Sequence, residues 1–319
     1  MNTNQAEDFN TVINISHLTK KFGDLVAVDN LDLRIFQGEV FGFLGPNGAG
    51  KTTTINMICG LSKPTGGKII FQNLSKQNNP NIRAQIGICP QENIFWPKLT
   101  CREQLQFMGR MYNLSAGLSK KRTIELLEMM GLKEKTNVLA NKLSGGMKRR
   151  LNICMALIHD PEILVLDEPE AGLDPQSRVL VRDFIKSLKP DKTIILTTHN
   201  MDEADRLSDR VAIIDHGRLL SLNTPSWLKK SIGEGDIVEI ILETGKIQQA
   251  DEMVNSLEKL CKQVKFSETA LIIKSKGLIE LIPGITEIIT NHGNKVMEIR
   301  LRENTLEDVF IYLTGRKLR

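Results

Sequence analysis

Short apolar runs alternate with helical segments along most of the chain. Val40–Leu44 and Ile163–Leu166 consist almost entirely of apolar residues, and Thr193–Thr198 is rich in β-branched residues. Uninterrupted apolar runs of this length are typical of parallel strands that are covered on both faces. Lys51–Cys59, shortly after the first run, is predicted to be a helix. The pattern predicts an α/β fold.

A mainly helical segment separates the first two of these runs. Cys101–Met111 and Lys120–Met130 are predicted to be helices, because their apolar residues recur at helical spacing between charged ones. We therefore expect a helical subdomain at about residues 93–160. It would lie within an α/β domain at residues 11–220, preceded by a flexible tail at residues 1–10.

The pattern changes after Leu220. Residues 221–235 contain Pro225 and two glycines and are predicted to be a linker to a small α+β domain at residues 236–319. The predicted elements of that domain are, in order, a strand at Asp236–Glu243, a helix at Lys246–Leu260, strands at Lys262–Phe266 and Ala270–Lys274, a helix at Leu278–Asn291 and a strand at Lys295–Arg302. This β-α-β-β-α-β order predicts a ferredoxin-like fold. Thr305 is predicted to cap a further helix that starts near Leu306.

Composition agrees with a protein of a reducing compartment. The 319 residues include 42 basic and 38 acidic side chains, and this small positive excess predicts no nucleic-acid partner. Five cysteines, an odd number, indicate reduced thiols. The five histidines lack metal-ligand spacing, so no zinc or iron site is expected. Residues 1–10 are polar and contain acids, unlike a signal peptide, and no apolar stretch approaches the roughly 20 residues that span a bilayer.

A glycine-rich segment follows the first apolar run and fits the phosphate-binding pattern G-x-x-x-x-G-K-[ST] without a mismatch. Its glycines allow the backbone N–H groups to point at phosphate oxygens, and the helix that follows adds the positive end of its dipole. We expect Lys51 to reach the β- and γ-phosphates and the Thr52 hydroxyl to bind Mg²⁺. The predicted nucleotide-binding residues of this segment are Gly45, Asn47, Gly48, Ala49, Gly50, Lys51, Thr52 and Thr53.

Two acids end the second apolar run. Asp167 and Glu168 lie at the carboxyl end of a predicted central strand, the edge at which α/β proteins bind their ligands. Asp167 is therefore a candidate ligand of the magnesium ion. Glu168 is a candidate for the group that orients or deprotonates the water that attacks the γ-phosphate.

A third motif, Leu143-Ser144-Gly145-Gly146-Met147, precedes a predicted helix at Met147–Ile158. Ser144 is a favourable N-cap, and the two glycines expose backbone amides at the helix start, which makes a second anion site. A chain with one phosphate loop needs no second clamp for its own nucleotide. In this feature the chain resembles the ATP-binding cassette (ABC) ATPases, whose LSGGQ signature completes the site of the partner subunit. Met147 replaces the glutamine, while Ser144, Gly145 and Gly146 are retained.

The resemblance covers roughly residues 12–220 and implies further roles. It implies that Phe22 stacks on adenine, that Gln91 contacts Mg²⁺, that Asp174 lies in a loop at the dimer interface, and that His199 holds the γ-phosphate and the attacking water. With Lys51 and Glu168, His199 completes the predicted catalytic residues, and Thr52, Gln91 and Asp167 are the predicted metal ligands. The resemblance also implies a P-loop fold with a β-subdomain, and ATP and Mg²⁺ as ligands.

Three features have two interpretations each. Glu170 occupies a position where the family usually has a small hydroxyl residue; a solvated turn carboxylate is favoured over one that adjusts the interface. The basic run Lys148-Arg149-Arg150 can be interpreted as a local basic cluster that follows the signature, and a solvated helix face explains it equally well. Ile94-Phe95-Trp96 is unusually apolar for a loop, and either packs in a local core or contacts a partner.

The tail from Asn304 to Gly315 resembles the ending of drug- and antibiotic-resistance exporter ATPases. The favoured function is therefore the ATP-hydrolysing subunit of an exporter. It would act as a homodimer, or paired with a second ABC ATPase, at the cytoplasmic face of a membrane through a separate permease. An importer ATPase is the nearer alternative. A soluble repair or translation ATPase is disfavoured, because the chain has neither a long heptad repeat nor a second phosphate loop.

Overall fold

The computed structural model describes residues 10–72, 74, 82–232, 236–243, 249–261, 263–267, 270–275 and 277–315. These residues divide into two compact units, with the boundary between Pro225 and Ser226. All of the expected tail except Asn10 lies outside the described residues. Within the described ranges, no helix is both long and apolar enough to cross a membrane.

The first unit contains two sheets. A three-stranded antiparallel sheet has the order β2-β1-β4, formed by β1 (Thr11–Phe22), β2 (Leu25–Phe36) and β4 (Gly66–Phe71). The second sheet has six strands in the order β5-β6-β7-β3-β8-β9. Its strands are β3 (Val40–Leu44), β5 (Ile86–Cys89), β6 (Ile163–Asp167), β7 (Thr193–Thr198), β8 (Arg210–Asp215) and β9 (Arg218–Asn223). All pairs are parallel except the antiparallel pair of β8 and β9.

Both faces of the six-stranded sheet are covered. Ile163 and Val165 pack in one core cluster with α1 (Lys51–Ile58) and the three-stranded sheet, and Leu164 and Leu166 pack in another with helices that lie between residues 101 and 207. This double burial explains why the strands appear in the sequence as uninterrupted apolar runs. The α/β fold predicted from them is confirmed.

Five helices in the described part of the first unit start at side-chain caps, whereas α1 follows Gly50, which has no side chain to cap it. Four of them are α2 (Cys101–Met111), α3 (Ala116–Met129), α4 (Gly145–Leu157) and α5 (Pro175–Ser187), and a short helix, α6 (Met201–Leu207), follows β7. Their caps are Thr100, Ser115, Ser144, Asp174 and Asn200. The cap at Ser115 starts α3 four residues before the predicted Lys120, because its hydroxyl accepts a bond from the backbone of Leu118.

Much of the expected linker has regular structure. Its first residues complete β9, and Pro225–Ser231 forms helix α7, with proline in the first turn, where it is favoured. Residues 233–235, which include both glycines, lie outside the described residues.

The second unit has the predicted element order. It comprises β10 (Asp236–Leu242), α8 (Ala250–Leu260), β11 (Gln263–Ser267), β12 (Ala270–Ser275), α9 (Leu278–Asn291), β13 (Val296–Arg302) and α10 (Leu306–Thr314). The strands form an antiparallel sheet in the order β11-β12-β10-β13, so each β-α-β unit is split by an intervening strand, as in a ferredoxin-like fold. Thr305 caps α10, as predicted. The predicted starts at Lys246 and Lys262 lie outside the described residues.

Candidate nucleotide-binding and catalytic site

The phosphate loop joins β3 to α1 in a conformation that requires glycine. Gly48 and Gly50 have φ angles of 80° and 100°, in the left-handed region that side chains disfavour. A Cβ at Gly45 would lie 2.2 Å from the carbonyl oxygen of Ile214, and one at Gly50 would lie 2.4 Å from that of Ala27. Close backbone packing therefore fixes the shape of the loop.

The Lys51 side chain folds back over this loop. Its Nζ donates to the carbonyl oxygens of Gly45 and Pro46, at 2.7 and 2.9 Å. Burial lowers the pKa of Lys51, and the nearby carboxylates of Glu168 and Asp167 oppose that shift. The ammonium group is thus held at the loop, with two acids close by.

An open cleft of about 450 Å³ lies beside the loop. Nine predicted residues line it: Phe22, Asn47, Gly48, Gly50, Lys51, Thr52, Thr53, Gln91 and Glu168. Leu25 and Ala27 also line it and were missed by the sequence interpretation. Gly45 and Ala49 belong to the loop but do not line the cleft; Ala49 is buried. The Phe22 ring is 53% exposed, with the Lys20 ammonium 4.9 Å from its centroid.

Asp167 stands where β6 ends, next to the phosphate-loop helix. The Thr52 hydroxyl donates to one of its carboxylate oxygens at 3.2 Å, and the Thr197 hydroxyl donates to the other. Thr197 is the residue of β7 that pairs with Asp167 in the sheet. Carboxylate, hydroxyl and amide oxygens are the ligands that Mg²⁺ prefers. The predicted set of Thr52, Asp167 and Gln91 therefore fits the ion chemically.

Glu168 is held by three parts of the fold. Its backbone is left-handed, with φ of 51°, and its N–H donates to the carbonyl and the hydroxyl of Thr197, at 3.1 Å each. One carboxylate oxygen lies 2.7 Å from His199 Nδ1, and the other accepts from Gln91 Nε2 at 3.1 Å. A strained backbone of this kind is common at active sites. The structure thus brings His199 and Gln91 to Glu168; Gln91 and Glu168 line the cleft, whereas His199 lines the neighbouring pocket that Glu168 also lines.

Arg149 corrects the interpretation of the basic run. It is 3% exposed, so it does not belong to a solvated helix face. From α4, its guanidinium donates to the carbonyl oxygens of Pro90, Gln91, Asp167, Glu168 and Pro169. One arginine therefore joins the backbone at Gln91 to the backbone at both acids of the site.

Glu170 also corrects an expectation. It is buried, and both its carboxylate oxygens accept bonds from the Arg182 guanidinium, at 3.1 and 2.9 Å. It is therefore not a solvated turn carboxylate. Glu203 is buried nearby and accepts from the Thr198 hydroxyl at 2.6 Å. Burial raises the pKa of Glu203 to about 7.

The signature residues lie apart from the cleft that the phosphate loop lines. The exposed Ser144 caps α4, and Gly145 beside it is also exposed. Gly146 is buried against the start of α5: a Cβ there would lie 3.1 Å from Ser177 Oγ and 3.3 Å from Asp174 Oδ2. Asp174 itself caps α5 by accepting from the Ser177 N–H at 2.9 Å. Gly146 of the signature and Asp174 are therefore neighbours within one chain.

The apolar loop after Gln91 divides between core and surface. Phe95 packs against the helical core cluster, whereas Ile94 and Trp96 are exposed. The Trp96 ring contacts Phe107 edge-on, with centroids 4.7 Å apart. The buried Gln104 accepts from the Trp96 backbone N–H and so holds the loop in place.

Comparisons with known proteins identify the family. A family model described as ABC transporter matches residues 28–171. The Nod factor export ATP-binding protein I of Cupriavidus pinatubonensis is 37% identical over 310 residues, which cover 97% of this chain and 92% of that protein. The linearmycin resistance ATP-binding protein LnrL of Bacillus subtilis is 36% identical, covering 97% of this chain and all of that protein (100%). The daunorubicin resistance ATP-binding protein DrrA3 of Streptomyces coeruleorubidus is 35% identical, covering 96% of each.

Solved structures agree on the fold. The dimeric structure of the bacterial ABC transporter cassette MJ0796 superposes with a TM-score of 0.60 at 30% identity, covering 66% of this chain and 98% of that chain. A post-hydrolysis structure of the same cassette, with ADP and Pi bound, also superposes with a TM-score of 0.60, at 29% identity and with the same coverage. With the length and identity of the relatives, these matches confirm the resemblance noted in the sequence. The chain belongs to the ABC transporter family of ATP-binding proteins and is an ATPase.

Proposed function

We propose that the chain is the ATP-hydrolysing subunit of an ABC exporter, which dimerises around two Mg-ATP and powers a separate membrane permease. It would lie at the cytoplasmic face of the membrane, held there through the permease. The observation that carries the proposal is the Glu168 carboxylate, which His199 and Gln91 hold beside the cleft of the phosphate loop. The printed names of the relatives, which include export and antibiotic resistance, support the direction of transport.

The residues that line the cleft offer contacts suited to ATP. The half-exposed Phe22 ring offers a face for adenine at one side, and the loop amides and Lys51 receive the phosphates at the other. Lys51 now donates to two loop carbonyls, and phosphate oxygens would replace these acceptors. Thr52, Asp167 and Gln91 would hold Mg²⁺, which neutralises phosphate charge when bound.

Hydrolysis needs a water molecule in line with the γ-phosphorus. Its oxygen bonds to that phosphorus as the bond to the β,γ-bridging oxygen breaks, and one of its protons leaves towards Glu168. The carboxylate is nearly buried, and His199 and Gln91 fix both of its oxygens. Little reorientation is therefore required before it accepts a hydrogen bond from water.

The signature supports a shared site. Ser144 and Gly145 are exposed and do not line the cleft of their own chain, so their amides and hydroxyl are available to a nucleotide on a second copy. The relative MJ0796 forms a dimeric cassette. We propose that Ser144, Gly145, Gly146 and Asp174 complete the site of the partner, which is a second copy or a second ABC ATPase.

Ile94 and Trp96 support a contact with the permease. They expose apolar surface on a loop whose shape is fixed by the side chains of Asn152 and Gln104, which accept hydrogen bonds from the backbone N–H groups of Ile94 and Trp96. Exposed apolar patches of this kind mark protein interaction sites. The loop follows Gln91, so a change at the nucleotide would be passed to this surface directly.

Glu168→Gln tests the proposal. The change keeps the shape of the side chain but removes the base, so turnover should fall by roughly 10²–10⁴-fold while ATP binding persists. With hydrolysis stalled, Mg-ATP should strengthen self-association on size-exclusion chromatography relative to the same protein in EDTA, at a concentration low enough for nucleotide-free chains to dissociate. Asp202→Asn, an equal change at an exposed acid near His199, is the control and should behave as wild type. Normal turnover in Glu168→Gln would refute the role of Glu168.

A further inference from the structure

The last strand of the second unit lies at the edge of its sheet. β13 pairs with β10 on one side, and within the described ranges no strand pairs with its other side. Ile299 and Leu301 point to the same face as the buried Ile240 and Val238 but are 36% and 47% exposed. A strand with an open edge and exposed apolar residues is a template for pairing with another strand.

The charges of β13 are self-complementary in one register. When two copies of a strand pair antiparallel about a two-fold axis, the residue numbers of every opposed pair add to the same sum. Opposed residues face the same side of the sheet, and side chains alternate between its two sides. The two residue numbers are therefore both odd or both even, and their sum is even. An axis at Ile299 sets Glu298 opposite Arg300 twice. An axis at 298 would instead set Glu298 against its own copy, and like charges in that position are destabilising. An axis at 300 would set Glu298 opposite Arg302 twice, but it would set Arg300 against its own copy, and Arg302 already bonds Asp308 of its own chain.

The cross-strand neighbours on β10 extend this complementarity. Arg300 lies opposite Glu239, and Glu298 lies opposite Ile241. Pairing about Ile299 would therefore place Arg300 between two acids, Glu239 of its own sheet and Glu298 of the second copy. At present Arg300 bonds Glu298 of its own strand at 2.8 Å, with both side chains about half exposed. Ile299 would meet its own copy and lose exposed apolar surface.

From this pattern we propose that β13 is a dimerisation edge, which pairs antiparallel with β13 of a second copy about Ile299. The two four-stranded sheets would then form one sheet of eight strands. The interface is the same surface on both copies, so it closes after two chains and does not propagate. It goes beyond the proposed ATP-dependent dimer, because no residue of the nucleotide site takes part.

Charge exchange tests the pairing in the full chain without nucleotide, in EDTA, by sedimentation equilibrium. Glu298→Arg and Arg300→Glu should each weaken self-association about tenfold or more, because two attractive pairs become repulsive. An equimolar mixture of the two variants should recover dimers, because each then faces opposite charges on the other. A monomeric wild type, or a mixture as weak as the single variants, would overturn the proposal.

A cysteine at the axis tests the register. Ile299→Cys should form a disulfide-linked dimer under mild oxidation, because residues directly opposite lie within disulfide range. Glu298→Cys is the control; its copies would lie about 7–8 Å apart and should not crosslink. All five native cysteines are buried, so they contribute little background. Equal crosslinking of both variants, or none at position 299, would contradict this register.

Discussion

Replacing Arg149 with methionine should damage the site without touching any residue expected to contact nucleotide. Methionine fills a similar volume but donates no hydrogen bonds. The change would leave the carbonyl oxygens of Gln91, Asp167 and Glu168 without their present donor, along with those of two prolines. The backbone on both sides of the Glu168 carboxylate, the proposed base, would then be less firmly held.

The size of the effect follows from burial. The guanidinium is 3% exposed and makes five bonds to backbone oxygens. Hydrogen bonds to a charged group contribute about 1.5–3 kcal/mol each. The loss in Arg149→Met is smaller than their sum, because methionine fills a similar volume and water can enter part of the space that the guanidinium leaves. We therefore expect a loss of about 3–5 kcal/mol in the free energy of unfolding. For a unit of this size that is roughly 6–20 °C in Tm.

Calorimetry and steady-state ATPase rates provide the assay. Lys148→Met is the matched control: it removes a positive charge from the same helix but loses only a contact with the Phe95 ring, at 5.4 Å. Its cost should stay within about 1 kcal/mol. Arg149→Lys should be intermediate, because an ammonium group has three donors. An Arg149→Met protein that melts like Lys148→Met and retains full turnover would refute this account.

Three further outcomes are expected. Homodimers of Ser144→Arg and of Lys51→Ala should be inactive. Their mixture should regain part of the ATPase activity, because a heterodimer has one intact site, and heterodimers without activity would exclude a shared site. Trp96→Glu should weaken the free energy of binding to the permease by about 2 kcal/mol or more, and so reduce sedimentation with membranes that contain the co-expressed permease, while ATP binding stays unchanged. Full transport by this variant would place the contact elsewhere. Burial raises the pKa of Glu203 from 4.5 to about 7. Its stabilising contribution is therefore complete below about pH 4.5 and is lost as the pH rises to about 7. The difference in unfolding free energy between wild type and Glu203→Gln should decline by about 3 kcal/mol over that range, and a flat difference would contradict the shift.

The sequence predicted the parts of the fold that have a strong local signal. The apolar runs around Phe41 and Val165 are buried on both faces, and both lie in the parallel sheet as expected. The glycine pattern of the phosphate loop follows from its backbone angles. The second unit was predicted by the order of its elements, because a split β-α-β arrangement leaves few alternative sheets.

Arg149 and Glu170 were missed for a physical reason: both are charged, and charged side chains are usually solvated. For Arg149 a signal was present. It lies four residues before the buried Ile153 and three after the buried Gly146, on the same side of α4. For Glu170 there was none, because its partner Arg182 lies on a separate helix and the turn between them has no periodic pattern.

Ser144 caps the N-terminus of helix α4, and Arg149 lies on the same helix little more than one turn later. In the proposed dimer, one end of a single rigid segment would meet the neighbour's nucleotide, while the next turn holds the strand end at Asp167 and Glu168. Binding in one site and hydrolysis in the other would then share a mechanical link of about 8 Å, given a rise of roughly 1.5 Å per residue. Binding at the two sites should be cooperative, and the coupling free energy must be the same whichever site is filled first.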